Sequence, residues 1–153
     1  MSTTSSTLSG THAIVVGASR GLGHGIATSL ARAGAQVVGV SRTPASVADT
    51  ETAGLAGSMQ SEIADATDPA VAVKLLDHYD PDVLVLVAGA TPHVATLEQQ
   101  TWETFSLNWH TDVRIAFEWL RATLLRPLRP GSRVVVFSSG AALNPNGSPL
   151  SGG

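Results

Sequence analysis

One segment near the N-terminus constrains the fold more than any other. A short β-branched run, Ala13–Val16, passes directly into Gly17-Ala18-Ser19-Arg20-Gly21-Leu22-Gly23, and a helical pattern follows at once. Glycines at Gly-x3-Gly-x-Gly spacing let the chain reverse sharply and let an anion approach the backbone with no Cβ in the way. Free N–H groups and the positive end of the helix dipole would then hold that anion. Strand, glycine turn and helix in this order are the context that a pyrophosphate-binding turn requires. The plain alternative is a tight βα turn with no ligand. Gly25, further along, reads as a small residue for close packing of helix on strand.

The rest of the chain alternates in the same way. Apolar β-branched runs recur at Gln36–Val40, Val83–Val87 and Arg133–Phe137, with a weaker candidate at Ser58–Ile63. Continuous apolar runs of this kind suit parallel strands covered on both faces. Between them lie helical segments. Gly21 to Ala33 carries Leu22, Ile26 and Leu30 at helical spacing and stops at Gly34. Asp68-Pro69 supplies an N-cap and a first-turn proline for a helix with Val71, Ala72, Leu75 and Leu76 inward. Thr111 to Leu125 sets Val113, Ala116, Phe117, Leu120 and Leu124 on one stripe before Pro127. Strands and helices in alternation predict an α/β fold, a doubly wound parallel Rossmann-type sheet of about five strands in the order 3-2-1-4-5. Ligands are expected at the carboxyl ends of the strands.

With 153 residues, the chain is sized for one domain. Its net charge of −3 argues against a nucleic-acid surface, and the absence of Cys rules out disulfides and thiolate chemistry. Residues 1–10 are Ser/Thr-rich and read as a disordered tail without the features of a secretory leader. Residues 11–143 are expected to form the dinucleotide-binding domain, and residues 144–153 a loop rich in Pro, Asn, Gly and Ser. No apolar run approaches a membrane-spanning length, so a cytoplasmic protein is expected, with no membrane or nucleic-acid partner. The five His stand singly, with no spacing suited to a metal, and no metal site is expected. His24 reads as a surface residue that could reach phosphate, and His93 as a candidate lining residue. Trp102, Trp109 and Trp119 read as packing between helix and sheet.

The segment Val16 to Ile26 resembles the cofactor turn of the short-chain dehydrogenase/reductase (SDR) family, and other stations of that family recur in order. Asp65-Ala66-Thr67-Asp68 is similar to the family's Asp-x-Thr-Asp segment, and Ala88-Gly89 stands where the family usually has Asn-Asn-Ala-Gly. Asn108 resembles the family's helix-4 asparagine, and Phe137-Ser138-Ser139-Gly140 the segment that carries its serine. Leu86-Val87 departs from the family by replacing the Asn pair.

The resemblance implies a dinucleotide held by Gly17, Ser19, Arg20, Gly21, Leu22, Gly23, Ser41, Arg42, Asp65, Ala66, Ala88 and Gly89, with Asp65 at the adenine. NAD and NADP are told apart at the end of the second strand, where a carboxylate suits a ribose 2′-hydroxyl and an Arg a 2′-phosphate. Here that end reads Val40-Ser41-Arg42, with no acidic residue before Asp49. Arg20 supplies a second cation, so NADP(H) is expected in preference to NAD(H). The alternative is that both Arg are ordinary solvated residues.

The resemblance further implies hydride transfer between nicotinamide and a carbonyl or alcohol substrate. Ser139 would meet the substrate oxygen, with Ser138 as its structural neighbour, and Asn108 would serve a proton relay. The alternatives are a loop-capping hydroxyl and an Asn bonding its own backbone. The family's Tyr-x-x-x-Lys pair, in which a cation brings the phenol toward working pH, has no counterpart: the single Tyr, Tyr79, and the single Lys, Lys74, precede Ser139 in the wrong order. The sequence therefore reads as a truncated N-terminal portion of such an enzyme, inactive alone, with homo-oligomers as a family habit. A non-catalytic NADP(H)-binding module or pseudoenzyme is the competing class. A methyltransferase with a similar turn would need an acidic residue after the second strand.

Overall fold

A computed structural model describes residues 7–44, 55–140 and 150–151. Five parallel strands form the main sheet: β1 (His12–Val16), β2 (Gln36–Ser41), β3 (Ser58–Ile63), β4 (Val83–Leu86) and β6 (Arg133–Val136). Their order is β3-β2-β1-β4-β6, the expected arrangement with the last strand renumbered. The renumbering arises because a short strand, β5 (Ala95–Thr96), intervenes and pairs antiparallel with β7 (Leu150–Ser151). Strand β7 falls inside the span read as a loop; residues 141–149 and 152–153 lie outside the described residues.

The helices are α1 (Gly21–Arg32), α2 (Pro69–Tyr79), α3 (Trp102–Asn108) and α4 (Arg114–Leu125). Alternation along β1 divides the core between two layers. Ile14 and Val16 face α2 and α4, packing with Leu75, Leu76, Leu84, Leu86, Ile115 and Trp119. Ala13 and Val15 face α1, where Ala27 and Ala31 let helix and sheet approach closely. Asp68 caps α2 by accepting from the Ala70 N–H at 2.9 Å, with Pro69 in the first turn. Gly34 ends α1 at φ +103, a conformation that other residues adopt only with strain. Of the expected tail, residues 1–6 lie outside the described residues. Leu8 packs on the α1 layer, and its N–H donates to the Ala33 carbonyl at 2.9 Å.

Several packing expectations are corrected. The helix expected from Thr111 begins at Arg114, after a π-helical turn at Trp109–Val113 that joins it to α3. Its buried face is Ile115, Trp119 and Ala122; Val113, Phe117 and Leu124 are exposed, and Leu120 is partly buried. The helix carries two apolar stripes, and the one bearing Trp119 meets the sheet. Trp119 is fully buried, whereas Trp102 and Trp109 are exposed and fill no helix–sheet space. Leu22 is also exposed, and Gly25 faces open space instead of packing on β1. Among the described residues no helix is long and apolar enough to cross a membrane.

Candidate functional site

The parallel strands all deliver their carboxyl ends to one side of the sheet, and a cleft of about 880 Å³ opens there. Its floor is the turn between β1 and α1. Gly17 takes φ +100, and a Cβ on it would lie 2.6 Å from the Ala88 backbone. A Cβ on Gly23 would lie 1.9 Å from the Gly17 carbonyl oxygen. These two glycines let three backbone segments converge, which explains the glycine spacing. The close-packing glycine of the helix is thus Gly23, and Gly25 has no such role.

The first turn of α1 suits an anion. Its N-cap, Arg20, makes no side-chain capping bond, and no acidic residue stands in the turn. The leading N–H groups of a helix have no intrahelical partner, so they and the helix dipole favour a negative ligand.

Every residue expected at the dinucleotide lines this one cleft: Gly17 to Gly23 apart from Ala18, with Ser41, Arg42, Asp65, Ala66, Ala88 and Gly89. Arg20 and Arg42 both border it. The Ser41 hydroxyl donates to the Thr43 carbonyl at 2.5 Å, so its hydrogen is committed within the turn. Asp65 Oδ1 accepts from the Thr67 hydroxyl at 2.7 Å and from the Thr67 N–H at 2.9 Å. The Thr67 hydroxyl bond, then its backbone bond, hold the Asp65 carboxyl below its ordinary range; Arg42 and Arg114 add to this. Ala66 is fixed from beneath, because Trp119 Nε1–H donates to its carbonyl at 3.1 Å.

Sequence reasoning missed the contribution of the π-helical turn. His110, Thr111 and Ile115 form a wall of the cleft. No spacing rule finds them, since they reach it only through the offset between α3 and α4. Asp112, in the same turn, accepts from the Ala90 N–H at 2.7 Å and from Asn108 Nδ2 at 3.0 Å. Asn108 closes α3 and does not bond its own backbone: its Nδ2 also donates to the Ala90 carbonyl at 2.9 Å.

The two residues expected at the reacting atoms do not line the cleft. Asn108 is half-buried at the end of α3, and Ser139 is exposed just beyond β6. His93 is exposed on the far loop, where its carbonyl accepts from Gln100 Nε2 at 2.7 Å. Tyr79 is spent elsewhere: its hydroxyl donates to Glu62 and accepts from Gln60 Nε2. Partial burial and the Glu62 carboxylate push this phenol up to about 12, away from proton transfer near neutrality.

The sequence matches the short chain dehydrogenase family over residues 11–149. Among solved structures it is similar to a short-chain dehydrogenase from Burkholderia cenocepacia in complex with NADP. The two share 28% identity over 91% of this chain and 59% of that one, with a TM-score of 0.76. A 3-oxoacyl (acyl-carrier-protein) reductase from Agrobacterium tumefaciens with NADP bound matches at 28% identity over 93% and 57%, with a TM-score of 0.74. A short-chain type dehydrogenase/reductase from Mycobacterium marinum matches at 26% over 97% and 63%, with a TM-score of 0.77. The chain thus spans about three fifths of the length of these structures. No curated protein matches the sequence.

Proposed function

The chain belongs to the short chain dehydrogenase family, and from that premise we propose that its cleft holds NADP(H) for a carbonyl/alcohol oxidoreductase. The observation that carries this reading is the Gly17–Gly23 cradle beside two guanidiniums. A Cβ on Gly17 would strike the Ala88 backbone and one on Gly23 the Gly17 carbonyl, so only glycines let this turn form, and Arg20 and Arg42 border the same cleft. The N–H groups that open α1 would hold the pyrophosphate. Arg20 and Arg42 would take the 2′-phosphate, which a planar guanidinium pairs through two hydrogen bonds. Ser41 would join them only by giving up its bond to Thr43. Asp65, kept ionised by Thr67, would accept from the adenine amino group, and Ala88 and Gly89 would leave room for the ribose and nicotinamide.

The bound cofactor supplies hydride; the chain supplies its placement. Ser139 would meet the substrate oxygen, and Asn108 would hold a relay water. Tyr79, held by Glu62 and Gln60 outside the cleft, offers no proton to that site. Residues 1–153 are therefore proposed to bind NADP(H) without turnover. The competing reading, a non-catalytic binding module, is favoured by that same commitment of Tyr79. Incubating the chain with NADPH and simple aldehydes tests the first proposal. Binding without oxidation of NADPH is expected, and steady carbonyl reduction would overturn the assignment of Tyr79.

A further inference from the structure

Asp112 ties together two segments that the sequence keeps far apart, the loop after β4 and the end of α3. We propose that it is a positioning residue, which locks the Asn108 amide in one orientation and fixes the Gly89–Ala90 peptide at the cleft. The proposal rests on the reading of that cleft as the cofactor site.

Both carboxylate oxygens of Asp112 are used. Oδ1 accepts from the Ala90 N–H at 2.7 Å and Oδ2 from Asn108 Nδ2 at 3.0 Å, while Asn108 Nδ2 also donates to the Ala90 carbonyl at 2.9 Å. The two hydrogens of the Asn108 amide are thus both committed, each to an acceptor. Turning the amide over would set its oxygen against a carboxylate and a carbonyl, an arrangement of three acceptors without a proton. The orientation is therefore single. It leaves Asn108 Oδ1, which is shielded from solvent and has no partner among the described residues, as the acceptor this group presents to a donor.

Gly89 makes the close approach workable, since a Cβ there would stand 3.0 Å from Asp112 Oδ2. Bonds to an ionised acceptor are stronger than neutral ones, so a single carboxylate can hold both segments. Leu86 at the end of β4 and Val87 just after it carry apolar side chains, so polar support for the loop comes instead from Asp112 in the π-helical turn.

Nuclear magnetic resonance on the isotopically labelled chain reads this directly. In the unmodified chain a scalar coupling is expected across the hydrogen bond, from the Ala90 amide nitrogen to the Asp112 carboxyl carbon. In Asp112→Asn, which turns one of the two acceptor oxygens into a donor facing another donor, the Asn108 side-chain amide signals should shift and exchange about tenfold faster. NADPH affinity should fall by a similar factor. A folded Asp112→Asn chain with unmoved Asn108 signals would overturn the proposal. Should that variant fail to fold, absence of the coupling in the unmodified chain would overturn it equally. Coupling and shifted Asn108 signals in a chain that binds no NADPH would support the positioning role and overturn the cofactor reading.

Discussion

Gly23 and Gly17 meet backbone to backbone, with space for a Cβ on neither side: one on Gly23 would stand 1.9 Å from the Gly17 carbonyl oxygen. Two residues away on the same helix, Gly25 has nothing within 4 Å. Gly23→Ala should therefore force the turn apart, destabilising the chain by about 2–3 kcal/mol and abolishing NADPH binding. Gly25→Ala should stabilise it by roughly 0.5–1 kcal/mol, because only the helix propensity changes. Urea unfolding and cofactor titration of both variants check the contrast, and equal effects would contradict it.

Trp119 supports the cleft from below through its bond to the Ala66 carbonyl. Trp119→Phe keeps most of the apolar contact but leaves a buried acceptor without its donor. A loss of about 1–3 kcal/mol is expected, with weaker NADPH binding because Ala66 and Asp65 shift together. Unchanged stability in a denaturant titration would show that the bond carries little.

Tyr79 is the single Tyr of the chain, so near-ultraviolet phenolate absorbance reads its titration without overlap. In the folded chain it should ionise near pH 12, against about 10 when unfolded. A raised folded value means that the neutral phenol is favoured by folding. The associated stability is complete below pH 10 and is lost as pH rises from there toward 12. Tyr79→Phe should remove this alkaline dependence.

Asp65 behaves with the opposite sign. Its folded value is lowered, so the stability it lends is present above the ordinary carboxylate value of 3.8 and is lost as pH falls below it. Thr67→Val removes the hydroxyl donor and leaves the backbone one. The Asp65 titration, followed by carboxyl resonances, should then move up toward 3.8. No movement would assign the shift to the remaining Thr67 N–H bond and to Arg42 and Arg114 instead.

The outermost strand, β6, borders the sheet with Val134, Val135 and Val136 each about two fifths exposed. An apolar sheet edge recruits further strands or another chain. The chain should self-associate with rising concentration in sedimentation velocity, and Val135→Lys should suppress this. A monomer at all concentrations would contradict it.

The glycine turn and the alternation of strands made the sheet order and the cleft residues legible, because both follow from local chemistry: where a Cβ cannot fit, and where apolar runs need two covered faces. Helix facing was not legible in α4. Val113, Phe117 and Leu124 form as good a stripe as Ile115, Trp119 and Ala122, and periodicity does not say which stripe meets the sheet. The role of Asp112 was hidden for a different reason. It depends on a π-helical turn and on partners at Ala90 and Asn108 that only the folded chain brings within reach. Ser41 shows a third limit, since its place at the cleft was legible but not its hydroxyl's choice of Thr43.

Arg20 and Arg42, both at the cleft, are proposed to make it a site for a 2′-phosphorylated dinucleotide. Parallel calorimetric titrations of the chain with NADPH and NADH test it most directly. NADPH should bind about tenfold or more tightly, the effect of one charge-assisted pair, and Arg42→Ala should erase most of the difference. Equal affinities for the two cofactors in the unmodified chain would contradict it.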